Sequence, residues 1–131
     1  MNMIVIEPYG KVKSLPFKGE FSEIQKAVGG YVERISFDKC MGLPIRADIF
    51  VDEEGIPKGL PGNLIATLTV VCSVASQPDT VSFPVSLYGN AVLAKPFRKG
   101  WRGFDEDETA RLLELLCKGL GAETQTKKEV E

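Results

Sequence analysis

Ile45 to Asn63, IRADIFVDEEGIPKGLPGN, divides the chain into two readable halves. Ile45, Ala47, Ile49 and Val51 alternate with Arg46, Asp48, Phe50 and Asp52, the two-residue period of a strand with one buried face. Asp52-Glu53-Glu54-Gly55 reads as a hairpin-type turn with Gly55 at the position that needs positive φ. Its three carboxylates are consecutive, without the alternating ligand spacing and closing glutamate of a calcium loop. Gly59-Leu60-Pro61-Gly62-Asn63 is an irregular return stiffened by proline.

Upstream lies a small strand-and-helix unit. Met3 to Ile6 is an uninterrupted apolar run, as in a central strand buried on both faces, and Pro8-Tyr9-Gly10-Lys11 supplies a turn. Val12 to Phe17 returns as a strand that Pro16 assigns to an edge. Phe21, Ile24 and Val28 form one apolar stripe of a short helix, which Gly29-Gly30 stops. A phosphate loop would place those glycines before a helix, not after one. Tyr31 to Phe37 has the β-branched and aromatic content of a strand.

Downstream, Leu68, Val70, Cys72 and Val74 alternate within Ala66 to Ala75, as do Val81, Phe83, Val85, Leu87, Ala91 and Leu93. These two stretches predict a long antiparallel pair, with Gly89 marking a bulge or a close approach. Asp105 to Leu120 is the clearest helix. Asp105 and Glu108 stand at capping-box spacing, and Leu112, Leu113, Leu116, Cys117 and Leu120 form its buried stripe. The expected fold class is therefore α+β: a single mostly antiparallel sheet of five or six strands, with a short helix and a longer C-terminal helix packed on it. One domain spans 1–121, and 122–131 is expected to be a polar, disordered tail.

Composition narrows the chemistry. The 131 residues suffice for one domain with its own core, and 44% apolar with 26% charged residues is ordinary for a globular chain. Histidine is absent, which removes Ser-His and Cys-His couples and most zinc or iron sites. No cofactor or metal is implied, and the enzyme reading, which rests on Asp52, Glu53 or Glu54, is the weakest. Cys40, Cys72 and Cys117 form no metal spacing; Cys72 and Cys117 are expected in the core and Cys40 in an exposed loop. The apolar runs are too short to cross a membrane, and no signal peptide is visible, so the cytoplasm is the expected compartment. A net charge of −2 gives no general attraction to long nucleic acid.

In order and spacing the chain resembles a family of small proteins from phages and bacterial mobile elements, classed as a domain of unknown function. The resemblance rests on Val5-Ile6-Glu7-Pro8, on Gln25 before Val28-Gly29-Gly30-Tyr31-Val32-Glu33, and on Val51-Asp52-Glu53-Glu54-Gly55 leading to Gly59-Leu60-Pro61-Gly62-Asn63. It continues through Leu87-Tyr88-Gly89-Asn90-Ala91-Val92, while residues 67 to 86 depart from it. It implies no activity, only a setting: a small cytoplasmic accessory protein that binds and blocks something, as in counter-defence.

One segment has the chemistry for binding. Lys95-Pro96-Phe97-Arg98-Lys99-Gly100-Trp101-Arg102-Gly103-Phe104 combines four cations, three aromatics and two glycines. Guanidinium forks and lysine hold phosphate, and tryptophan stacks on bases. Lys95, Arg98, Lys99 and Arg102 are the candidate phosphate ligands and Trp101 the stacking residue, with Tyr31 and Asn63 as further ligand contacts. The competing reading has Phe97, Trp101 and Phe104 capping the core while the cations pair with Asp105 to Glu108. The expected partner is a small phosphorylated, nucleotide-like ligand, or else a host protein, and a free sheet edge would also admit a homodimer.

Overall fold

The computed structural model describes residues 1–75 and 86–125. Its strands are β1 (Asn2–Ile6), β2 (Lys11–Pro16), β3 (Val32–Phe37), β4 (Ala47–Asp52), β5 (Ala91–Phe97), β6 (Gly100–Arg102) and β7 (Glu123–Thr124). The helices are α1 (Phe21–Val28), α2 (Leu64–Ala75) and α3 (Glu106–Glu114), the last extended by a wider π-helical turn over Leu115–Gly119. The fold class is α+β, as expected. The single sheet runs β3-β4-β5-β1-β2-β7, with β6 paired to β5. All pairings are antiparallel except β2 with β7.

β1 is central and its Met3–Ile6 segment is buried on both faces. One layer of core joins Ile4, Ile6, Ala47, Ile49, Val51 and Leu93 to Ile65, Ala66 and Val70 of α2 and Leu112 and Leu116 of the C-terminal helix. The opposite layer joins Met3, Val5, Phe50 and Val92 to Ile24 and Val28 of α1. Because both faces are covered, all six residues of β4 are buried, where the alternation predicts a half-exposed strand. Its face-two positions are Asp48, Phe50 and Asp52, so two carboxylates lie inside and need partners.

The largest correction concerns Ala66 to Ala75, which is helical. Its sequence, LIATLTVVCSVA, is apolar on nearly every side, so alternate positions and helical positions are both hydrophobic. The buried set Ile65, Ala66, Thr69, Val70 and Ser73 has helical spacing. Thr69 and Ser73 enter the core by donating their hydroxyls to the carbonyls of Ile65 and Thr69, at 2.8 and 2.7 Å. The long antiparallel pair is therefore replaced by α2 on one side and β5 on the other. Val81, Phe83 and Val85 lie outside the described residues.

The cysteine assignments invert with it. Positions 70 and 72 share a face in a strand but stand about 200° apart on a helix, so Val70 is buried and Cys72 exposed. Cys117 is half-buried beside the Thr124 hydroxyl at 3.2 Å. Cys40 is fully buried and desolvation pushes its thiol pKa up to about 12, which makes it unreactive.

One turn assignment and the start of the tail also change. Gly55 is not at positive φ; the turn after β4 runs on into α2, and Gly59 takes the left-handed conformation at φ 71°. Gly55 is instead where the backbone passes Tyr88, since a Cβ there would lie 3.0 Å from the tyrosine Cβ. The presumed tail begins inside the fold: Ala122 is buried, Glu123–Thr124 pair with Lys11–Val12, and the Gln125 N–H donates to the Val12 carbonyl at 2.8 Å. Residues 126–131 lie outside the described residues.

Candidate functional site

The segment 95–104 forms a hairpin. Lys95 faces Arg102, Pro96 faces Trp101 and Phe97 faces Gly100, with Arg98 and Lys99 as the two-residue turn. Arg98 sits at φ 57°, the positive φ that such a turn needs at its first position. Lys95 is ion-paired with Glu108 of α3. Among the described residues no carboxylate lies within ion-pair distance of Arg98, Lys99 or Arg102. The guanidinium groups of Arg98 and Arg102 lie against the Phe97 ring, 4.9 and 5.1 Å from its centroid. Phe97 is 40% exposed, and the Arg102 Nε–H is buried without an acceptor.

Trp101 has a different position from that of a free stacking platform. Its ring meets Phe50 edge-on at 5.3 Å and Phe21 at 5.6 Å, and the Arg34 guanidinium stands 5.8 Å from it. Its Nε1–H donates to Asp48 Oδ2 at 2.7 Å, while Oδ1 of that buried carboxylate has no partner. Phe104 is wholly buried. The capping alternative thus holds for Phe104 and for most of Trp101, and of the four cations only Lys95 pairs with the acidic helix start. Asp48 and Arg34 belong to this end of the sheet although nothing local in the sequence marks them: cross-strand neighbours come from register, with Arg34 opposite Phe50 and Asp48 opposite Ala94.

Tyr31 and Asn63 lie elsewhere, by the C-terminal end of β4, about 13 Å along the strand from Asp48. Tyr31 is exposed, and its carbonyl accepts the Glu53 N–H at 3.1 Å. Asn63 is 2% exposed and fully used: Nδ2 donates to the carbonyls of Ile6 at 2.9 Å and Gly89 at 2.8 Å, and Oδ1 accepts the Ala66 N–H at 3.1 Å. It caps α2 and ties three segments together, so it has no donor left for a ligand. Nearby, Asp52 holds Lys58 at 2.8 Å and the Glu54 N–H at 2.8 Å. The hydrogen bond from Lys58 keeps the Asp52 carboxyl below its usual range against the opposing effect of burial, and raises the Lys58 pKa in return. A Cβ on Gly30 would lie 3.0 Å from that carboxylate and 2.6 Å from the Lys58 ammonium, so a larger residue there would require the lysine end to shift. Asn90 completes this end by donating to the Ala27 carbonyl at 3.2 Å. Open clefts of about 150 and 350 Å³ flank Tyr88 here, and neither includes a hairpin residue.

No group of metal-ligating side chains occurs among the described residues, and no helix there is long and apolar enough to cross a membrane. What the fold and surface define is a small α+β sheet protein with a cationic hairpin at one end. Residues 1–116 match the family described as Domain of unknown function (DUF3846), and the chain belongs to it. The match stops within the widened turn after α3, so β7 lies beyond it. No curated protein and no solved structure matches the chain.

Proposed function

We propose that this chain is a non-catalytic binding protein that takes a phosphorylated, nucleotide-like ligand at the tip of the β5–β6 hairpin. The observation that carries this reading is the cluster of Arg98, Lys99 and Arg102 on one hairpin, none of them paired with a carboxylate among the described residues. A phosphate oxygen is the acceptor that this donor set fits best. Lys95 contributes little, since Glu108 already neutralises it. Phe97 carries the Arg98 and Arg102 guanidinium groups over its ring, and Trp101 and Asp48 hold the hairpin root in place. The resemblance to phage and mobile-element proteins gives the reading its setting, an accessory protein that withholds a host nucleotide as counter-defence.

A thermal-shift panel of mono-, di- and cyclic nucleotides and ADP-ribose derivatives tests it. Ligand at 100 times its dissociation constant adds about 2.7 kcal/mol, a rise of roughly 10 °C for a domain of this size. The shift is expected to vanish in Arg98→Ala/Arg102→Ala. A flat panel with the protein folded would turn the reading toward its second form, an inhibitor or adaptor of a host protein. That form draws support from the hairpin tip, which stands outside the clefts bounded by described residues. An acidic polypeptide retained by the native chain and lost from the double variant is its expected signature.

A further inference from the structure

The two long edges of the sheet differ in how they meet the surroundings. β2 carries Lys11, Lys13 and Pro16, and β7 occupies part of its outer side. Edge lysine and proline oppose further strand pairing. β3, at the other edge, reads Val32-Glu33-Arg34-Ile35-Ser36-Phe37, with no proline, lysine or glycine. It pairs with β4 residue for residue over its six positions, without a bulge. Among the described residues no strand lies on its outer side, and Glu33, Arg34 and Ser36 are exposed. Such an edge, about 20 Å long, presents a row of backbone donors and acceptors on which, among the described residues, only the charges of Glu33 and Arg34 restrict pairing.

We propose that β3 pairs antiparallel with β3 of a second copy of this chain, about a two-fold axis centred on Ile35. A two-fold normal to the sheet keeps every side chain on its own face, so the axis must pass through one residue. Centred on Glu33 or Arg34, it sets a charge directly against its own copy, which is destabilising. Centred on Ile35, it sets Ile35 against the partner's Ile35, Arg34 against the partner's Ser36 and Glu33 against the partner's Phe37. This is the longest overlap free of like charges, from Glu33 to Phe37. Ile35 already packs on the α2–α3 side of the core, so the join continues that apolar layer from one copy to the next. The proposal is independent of the hairpin ligand, which lies at the end of a different strand pair.

The register makes the test sharp. Across this axis the two copies of Ile35 have Cα atoms about 4.5–5.5 Å apart, within disulfide reach, whereas the two copies of Glu33 are roughly 13 Å apart. In a Cys72→Ser background, which removes the exposed thiol, Ile35→Cys is expected to give a covalent dimer on mild oxidation and Glu33→Cys is not. Sedimentation of the unmodified chain is expected to show a dimer fraction that rises with concentration. Ser36→Glu, placed opposite the partner's Arg34, should tighten the dimer roughly threefold to tenfold, and Ser36→Arg should weaken it by a similar factor. Ser36 stands directly opposite Asp48 of its own chain, so the melting temperature of each variant is measured first and only a folded variant is read for dimer affinity. A chain that stays monomeric at millimolar concentration overturns the proposal. So does equal cross-linking at positions 33 and 35, or a dimer indifferent to the charge at position 36.

Discussion

The two ends of the sheet use their polar groups in opposite ways. Around Asn63 the side-chain donors are matched: one amide caps α2 and holds the carbonyls of Ile6 and Gly89, Asn90 holds Ala27, and Asp52 holds Lys58. At the β5–β6 hairpin, Arg102 Nε and Asp48 Oδ1 are buried without partners and two further cations stand unpaired with any described carboxylate. The segments that carry the family resemblance build the first end, and they do so as architecture. Polar groups left unpartnered among the described residues sit at the other.

Asn63→Ala should give the largest effect if this contrast is right. It leaves two buried carbonyls without their donor and uncaps α2, a loss on the order of 3 kcal/mol. Urea unfolding should show that loss without any change in hairpin ligand binding. A cost below about 0.5 kcal/mol would mean the end is not held as described. Next comes Trp101→Phe, which keeps the aromatic packing but removes the only side-chain donor to the buried Asp48 carboxylate among the described residues, for about 1–3 kcal/mol. Pairing it with Asp48→Leu should restore part of the loss, because both halves of an unsatisfied contact are then gone.

Lys58→Met should cost less than either, and its signature is in pH. The Asp52 carboxyl is depressed in the folded chain, so its contribution is present above the unfolded value of 3.8 and is lost as pH falls through the lower folded value. The variant should lose this part of the acid dependence, measurable as a flatter melting profile below about pH 4. Smallest is Arg98→Ala, expected to change stability by less than about 0.5 kcal/mol while weakening ligand binding. A large stability loss there would make the hairpin tip structural and erase the contrast.

The sequence made some of this legible and not the rest, for physical reasons. The central β1, the stripe and glycine stop of α1, and the Asp105–Glu108 box of α3 are local patterns, and local patterns survive folding. At 2.7 Å from the Glu108 N–H, the Asp105 carboxylate caps as its spacing implies. α2 was hidden because a helix buried on one side and apolar on most others carries no distinguishing period; the informative signal was Asn63, a preferred cap immediately before the run. The hairpin was visible as a cluster of cations and aromatics. Its dependence on Asp48 and Arg34 was not, because those neighbours arrive from β4 and β3 through long-range register.

The placement of β1 has a consequence for biosynthesis. The first strand of this sequence lies in the middle of the sheet, and its second partner is β5, residues Ala91–Phe97. At 5–20 residues per second, β1 and β2 wait on the order of 5–15 s as an isolated two-stranded ribbon, which is marginal in water. In that interval α1 is available to cover the Met3 and Val5 face, but the edge of β1 that takes β5 stays unpaired. The nascent chain is therefore most exposed to aggregation before β5 is translated, and a truncation before β5 would leave a sheet with no middle to close.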